Sequence, residues 1–325
     1  MKRNTVIRYI GFYAIITFFL TSCGSVKYTS AKVQTLVPPL RIVNLPSTAN
    51  IAVVAALPGD YLRDNGKLSD SLTVSSIAMA IKSNLEKSPK YSSYIFPVYT
   101  VNVEENGLTE EDIPDIKENT GADYLISVEK FQPVIHKQRV NTSRTNCMRI
   151  IVPHSSAIRI YDTEKNAVID ERLINDTLTI QVDAYPWETE QELMERLPDD
   201  KTAVLMVIRE MAKAYVEEIV PFWKEETRFY YIADNIARAE NYIYSEEWDK
   251  AMNVWMNYVN DENSELAAIS CFNMAVGCEI FGEYELALKW MENVKKKDAT
   301  YYWDGYKKLL EKRMEEKAIL DRIMN

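Results

Sequence analysis

Histidine, glycine and cysteine are all scarce in this 325-residue sequence: two, nine and four residues respectively. Only His136 and His154 could serve as histidine ligands, and neither sits in a metal-spaced cluster, so no zinc site is expected. So few glycines leave no phosphate-cradling loop, and no Gly-x-Ser-x-Gly elbow is present among the serines. Asp60, Asp64 and Asp70 share a polar stretch without the twelve-residue pattern of a calcium loop. Basic residues are in the minority, 38 against 48 acidic, for a net charge of −10. An acidic body repels phosphate backbones, which argues against nucleic acid as a partner and against broad binding to anionic lipid. Cys271 and Cys278 share one face of a helical pattern roughly 10 Å apart along the axis, too far for a disulfide. With Cys147 they read as small buried apolar residues. Glu188, Glu190 and Glu192 read as a solvated helix start, and Asp199-Asp200 after Pro198 as a helix cap. No cofactor, small-molecule substrate or catalytic constellation follows from these residues, so an enzyme is not expected.

Long apolar runs are also few, and the one that stands out lies at the start. Lys2, Arg3 and Arg8 precede the apolar stretch from Tyr9 to Leu20. That stretch is shorter than the ~20 residues a spanning helix needs and suits the core of an export signal. Leu20-Thr21-Ser22-Cys23 follows. This resembles the lipobox of bacterial lipoproteins, and the resemblance implies a signal peptide over residues 1–22, cleavage before Cys23 and acylation there, palmitate included. Two or more acyl chains anchor stably where one gives only marginal binding. Gly24 and Ser25 carry no acidic sorting signal, which by the same resemblance favours the outer membrane with the body facing the periplasm. Residues 23–46, with Pro38, Pro39 and Pro46, read as a lipidated tether.

Residues 47–222 read as a mixed α/β domain. Ile51 to Leu57 is a continuous apolar run, as in a strand covered on both faces. Helical spacing from Ser71 to Lys87, a strand near Tyr94 to Val101, a helix opened by Thr109-Glu110-Glu111-Asp112 and a strand at Tyr124 to Val128 follow. Met148 to Tyr161 and Ala167 to Val182 predict long antiparallel strands, the second alternating dry and wet residues. A long helix is expected over Thr189 to Val220, interrupted or restarted at Pro198. Ile51 to Leu57, Gly121-Ala122-Asp123-Tyr124-Leu125-Ile126 and Ile158-Arg159-Ile160-Tyr161-Asp162 resemble the amino-terminal-domain fold of TolB and its lipoprotein relatives. Those relatives include the curli-secretion and peptidoglycan-synthase-activator lipoproteins. The resemblance implies partner binding and envelope assembly rather than a shared catalytic site.

Residues 223–325 carry an internal repeat. Ala239, Tyr242, Trp248, Ala251, Trp255 and Tyr258 recur 36 residues later as Ala275, Cys278, Tyr284, Ala287, Met291 and Val294. The spacing resembles a tetratricopeptide repeat and implies stacked helical hairpins, capped by a helix from Tyr301 to Met324. Tyr242, Trp248, Trp255 and Tyr284 are the candidate contacts of a partner groove, although the same positions are packing positions of the repeat. Over its full length the chain resembles lipoproteins of the Bacteroidota that combine these two parts. The expected function is a lipid-anchored periplasmic scaffold or accessory factor that docks an envelope protein. The alternatives are a subunit of an export channel, or an enzyme of cell-wall or glycan chemistry.

Overall fold

The computed structural model describes residues 27–58, 70–91, 96–103, 107–142 and 145–324. The expected signal peptide, Cys23, and the loop with Asp60 and Asp64 lie outside the described residues. Two compact units emerge: one of Val37–Phe222 with Arg322–Asn325, the other of the residues up to Leu36 with Trp223–Asp321.

The first unit is built on a mixed sheet. Its strands are β2 (Ile51–Pro58), β3 (Val98–Val103), β4 (Tyr124–Pro133), β5 (His136–Asn141), β6 (Asn146–Asp162) and β7 (Ala167–Asp183). The order is β3-β2-β4-β6-β5, with β7 on the other side of β6. β2 pairs in parallel with β3 and β4, whereas β6 is antiparallel to β4, β5 and β7. The apolar run in β2 has a direct cause. Ile51, Val53 and Ala55 enter the core on one face, while Ala52, Val54 and Ala56 enter a second core on the other. The first core is closed by α1 (Asp70–Leu85) through Ile77 and Ile81, and by α4 (Asp200–Ile219) through Val204, Ile208 and Met211. The second is closed by α2 (Asp112–Thr120) through Ile113 and Ile116. A short α3 (Glu190–Arg196) precedes α4; it opens on a capping box between Thr189 and Glu192. The expected break at Pro198 separates the two helices, and the Asp199 side chain accepts from the Thr202 N–H to start α4.

In β4 a bulge between Val128 and Lys130 leaves Glu129 out of register. Its buried carboxylate accepts from the Tyr161 hydroxyl at 2.5 Å and the Arg159 guanidinium at 2.6 Å, and from the Leu108 N–H at 3.3 Å. Burial, followed by the bond to Glu129, raises the Tyr161 hydroxyl, which keeps its proton to donate.

The described part of the expected tether, residues 27–46, departs from that reading. Lys27–Val37 is a strand, β1, which pairs with β8 (Phe222–Ile232) in a two-stranded ribbon. Val33 and Tyr230 lie in the core of the helical unit, while Lys32 and Glu225 pair at 2.7 Å on the exposed side. Residues 38–46 are docked on the sheet unit instead. Leu45 is buried in its core, and the Leu45 carbonyl accepts from Lys90 Nζ at 2.8 Å. Alternating small and apolar side chains on a polar strand, with a partner almost two hundred residues away, gave the segment a tether's composition.

In the second unit α5 (Arg238–Tyr244), α6 (Trp248–Met256), α7 (Ser264–Ile280) and α8 (Tyr284–Lys297) form two hairpins, followed by α9 (Asp304–Met324). The 36-residue repeat extends to the backbone. Glu246 and Gly282 occupy equivalent turn positions with φ of 58° and 70°, and Glu247 and Glu283 begin the next helix with nearly equal dihedrals. The Glu247 N–H bonds the Tyr242 carbonyl at 2.8 Å, and the Glu283 N–H bonds the Cys278 carbonyl at 2.9 Å. A side chain in the left-handed region costs roughly 1–2 kcal/mol. Glu246→Gly, which copies the sister turn, is therefore expected to stabilise the unit by about 0.5–1 kcal/mol, read from the midpoint of urea unfolding. An unchanged or lower midpoint contradicts the equivalence of the two turns. Cys271 and Cys278 are buried and free, as is Cys147, and burial pushes the thiols of Cys271 and Cys278 up to about 11.

Candidate binding groove

The inner face of β6 is an apolar stripe at period two: Met148, Ile150, Val152, then Ile158 and Ile160, all in the main core. His154 and Ser156 interrupt it. The facing strand behaves alike, since Ile174, Leu178, Ile180 and Val182 pack on that core, with Asp176 between Ile174 and Leu178 and Arg172 two residues before Ile174. The register sets His154 opposite Asp176 and Ile158 opposite Arg172. Two interrupted stripes thus place one polar patch under α4, where the helix presents Tyr215, Glu210 and Glu218.

A cavity of about 610 Å³ opens at this patch, within the roughly 300–1,000 Å³ usual for ligand pockets. It is lined by every residue of β7 from Arg172 to Leu178. With residues of both parities contributing, the space reaches the backbone of the strand. Among the described residues, β6 is the only strand paired with β7. The opposite wall is one face of α4, including Val207, Glu210, Met211 and Tyr215. The site is therefore a groove between an open strand edge and a helix.

Its polar groups are incompletely satisfied. The Tyr215 hydroxyl is buried without a hydrogen-bond partner, as is Arg172 Nε. Burial raises the Tyr215 hydroxyl, which stays a neutral donor. At one end of the groove Glu218 accepts from Arg172 at 2.9 Å and from Arg41 at 3.2 Å, and Arg41 also clamps Asp170 at 2.8 Å. This network consumes the cations. Asp176 and Glu210 line the groove with no cation paired to them among the described residues.

Burial holds the His154 imidazole below its ordinary range, partly countered by Asp176. The folded state thus favours the neutral ring more than the unfolded chain does. Its stabilising share is whole above the ordinary histidine value of about 6.5 and erodes as pH falls below it. His154→Gln is expected to remove that part of the slope between about pH 7 and about pH 5, measured as denaturation midpoints at each pH. A slope unchanged by the substitution contradicts it.

The residues singled out by the repeat lie elsewhere, in the helical unit. Trp255 is fully buried and Trp248 is 8% exposed, both in its core. Tyr242 and Tyr284 are half-buried against the same core; Arg238 and Lys250 lie over the Tyr242 ring, and Lys317 over the Tyr284 ring. The structure brings these four together as packing, leaving little of either tryptophan for a partner. The exposed aromatics of the hairpins are Tyr244, at the end of α5, and Phe281, just past the end of α7. Among the described residues, no group of three or more His, Cys, Asp or Glu stands in position to hold a metal, and no helix is long and apolar enough to cross a membrane.

The family described as "Domain of unknown function (DUF8603)" matches residues 54–231, more than half of the chain and the whole of this groove. The chain belongs to this family. A second, described as "Domain of unknown function (DUF6340)", matches residues 237–317, so the DUF8603 match stops just short of the hairpins. No curated protein matches the sequence. Solved structures similar to part of it include a minor lipoprotein from Acinetobacter baumannii, at 12% identity, covering 55% of this chain and 92% of that one, with a TM-score of 0.27. A putative neuraminyllactose-binding hemagglutinin homolog from Helicobacter pylori is 10% identical, covers 55% and 94%, and scores 0.30. An uncharacterized lipoprotein B from Nitrosomonas europaea is 13% identical, covers 55% and 93%, and scores 0.22.

Proposed function

We propose that this DUF8603 protein is a lipid-anchored accessory protein of the bacterial envelope that binds a protein partner and carries out no chemistry of its own. The observation that carries the binding reading is the groove: an open strand edge facing a helix, with buried donors and acceptors left unpaired. Such groups cost roughly 1–3 kcal/mol each when nothing meets them, which an arriving partner relieves. The lining mixes apolar side chains with carboxylates, a tyrosine held protonated and an imidazole, a set suited to recognition. In this reading the likeness to TolB-type amino-terminal domains describes the sheet unit, and the likeness to tetratricopeptide repeats describes the hairpins. Tyr244 and Phe281 offer a second contact area at the hairpin turns. Anchoring rests on the lipobox-like Leu20-Thr21-Ser22-Cys23, and the absence of an acidic residue just after Cys23 points to the outer membrane, facing the periplasm.

The anchor is tested by Cys23→Ala. The wild-type chain is expected in the outer-membrane fraction, labelled by palmitate, and the variant in the soluble fraction, unlabelled. Identical fractionation of the two proteins overturns the lipoprotein assignment and, with it, the envelope setting.

A further inference from the structure

The shape and charge of the groove define what it takes. We infer that it binds an extended peptide segment by strand addition to β7, and that the side chains this segment turns inward, at every second position, include both apolar and basic ones. This rests on the partner-binding reading above and specifies its chemistry.

Three observations converge. First, Arg172 to Leu178 lie consecutively along the groove, roughly 20 Å of strand at 3.4 Å per residue. An edge strand offers a row of backbone N–H and C=O groups that a further strand can pair, and peptides dock on sheet edges in this way. A compact solute would need a few side chains of one face, not a run of both parities. Second, the helix wall sets the side-chain pattern. Val207, Met211 and Leu178 give an apolar floor, and a strand laid on β7 directs alternate residues toward it. Third, the charges are unbalanced. Arg172 is taken up by Glu218, which leaves Asp176 and Glu210 as the unpaired charges on opposite walls. Lysine or arginine on the added strand meets both. The buried Tyr215 hydroxyl, partnerless at the floor, can donate to a carbonyl of the incoming chain.

Strand addition predicts more than affinity. Hydrogen exchange at β7 amides must slow, because backbone groups at the edge become paired. The inner apolar contacts alone would leave those amides unchanged.

The test uses the full mature chain in detergent and a displayed library of random nine-residue peptides, with selected sequences resynthesised and labelled for fluorescence anisotropy. Selected peptides are expected to carry apolar residues and Lys or Arg together at every second position, with no such preference at the positions between. Methylating alternate backbone nitrogens should weaken binding at least tenfold. The double variant Asp176→Lys, Glu210→Lys alters two exposed side chains, keeps the fold as judged by circular dichroism, and should also weaken binding at least tenfold. Exchange at residues 172–178 should slow in the complex. A library yielding no binder, binders indifferent to both the methylation and the charge reversal, or binders that leave β7 exchange unchanged overturns the inference. The assay does not depend on Cys23, so failure of the anchor and failure of strand addition are told apart.

Discussion

Trp255→Ala is expected to cost about 3–5 kcal/mol of stability, the range for truncating a buried aromatic side chain. Trp255 is fully buried in the core of the helical unit, where its ring stands 6.4 Å from that of Tyr230. Truncation removes the ring's contacts and leaves a cavity in a close-packed core. Trp255→Phe keeps most of the packing and should cost markedly less. Urea unfolding of both variants measures it. A midpoint unchanged by Trp255→Ala means that the residue is not packing, and returns it to the list of possible contacts.

Gly107→Ala is expected to be comparably severe. Gly107 has φ of 98°, and a Cβ there would stand 2.0 Å from Glu129 Oε2 and 2.4 Å from its carboxyl carbon. The carboxylate cannot withdraw freely, because Tyr161, Arg159 and the Leu108 N–H hold it. Displacing one member of a buried charged network costs about 3–5 kcal/mol. A double-mutant cycle separates the causes. In a Glu129→Ala background the added methyl meets no carboxylate, and the Arg159 guanidinium, 3.0 Å away, is the end of a flexible side chain that can shift, so mainly the backbone strain, about 1–2 kcal/mol, should remain. Fully additive costs contradict the contact and assign the whole effect to the backbone.

Where period and pairing are local, the sequence displays the fold. β2, the long β6 and β7 and the pair α3–α4 show as runs, alternation and a proline break, since each depends on neighbours a few residues away. The hairpins show because the same packing demands recur after 36 residues. β1, β5 and β8 do not show. His136–Asn141 has Val140 as its one apolar residue, and the ribbon joins strands that are far apart in the chain, Lys27–Val37 and Phe222–Ile232. The groove is harder still. His154 and Asp176 look like stray polar residues until the register sets them face to face. The legible signal was the interruption itself: a histidine and a serine inside an apolar period-two stripe of β6, answered by Arg172 and Asp176 in β7. Trp248 and Trp255 were legible as packing positions for the reason that made them candidates, namely large residues at repeat spacing.

The buried ionic cluster of the helical unit serves another purpose. Arg228 Nε donates to both oxygens of Glu279 at 2.8 Å, and Tyr306 donates to Glu279 at 2.7 Å. Burial alone would raise the Glu226 carboxyl, but hydrogen bonds from Arg313 and Arg228 outweigh it and pull it down to about 2. Every strong charge there has a counter-charge, which suits a fixed joint between the ribbon and the helices. In the groove Asp176 and Glu210 lack that compensation among the described residues, as the proposed recognition surface requires.

The most direct measurement is site-specific photo-cross-linking in the native envelope, with a photoreactive amino acid in place of Leu173 on the groove edge and, as control, in place of Asp115 on α2. Leu173 is 62% exposed and lines the groove. A single defined protein adduct from position 173, absent from position 115 and lost when Asp176 and Glu210 are changed to Lys, is the result expected of an anchored partner-binding protein. No adduct from position 173, or the same adducts from both positions, contradicts it.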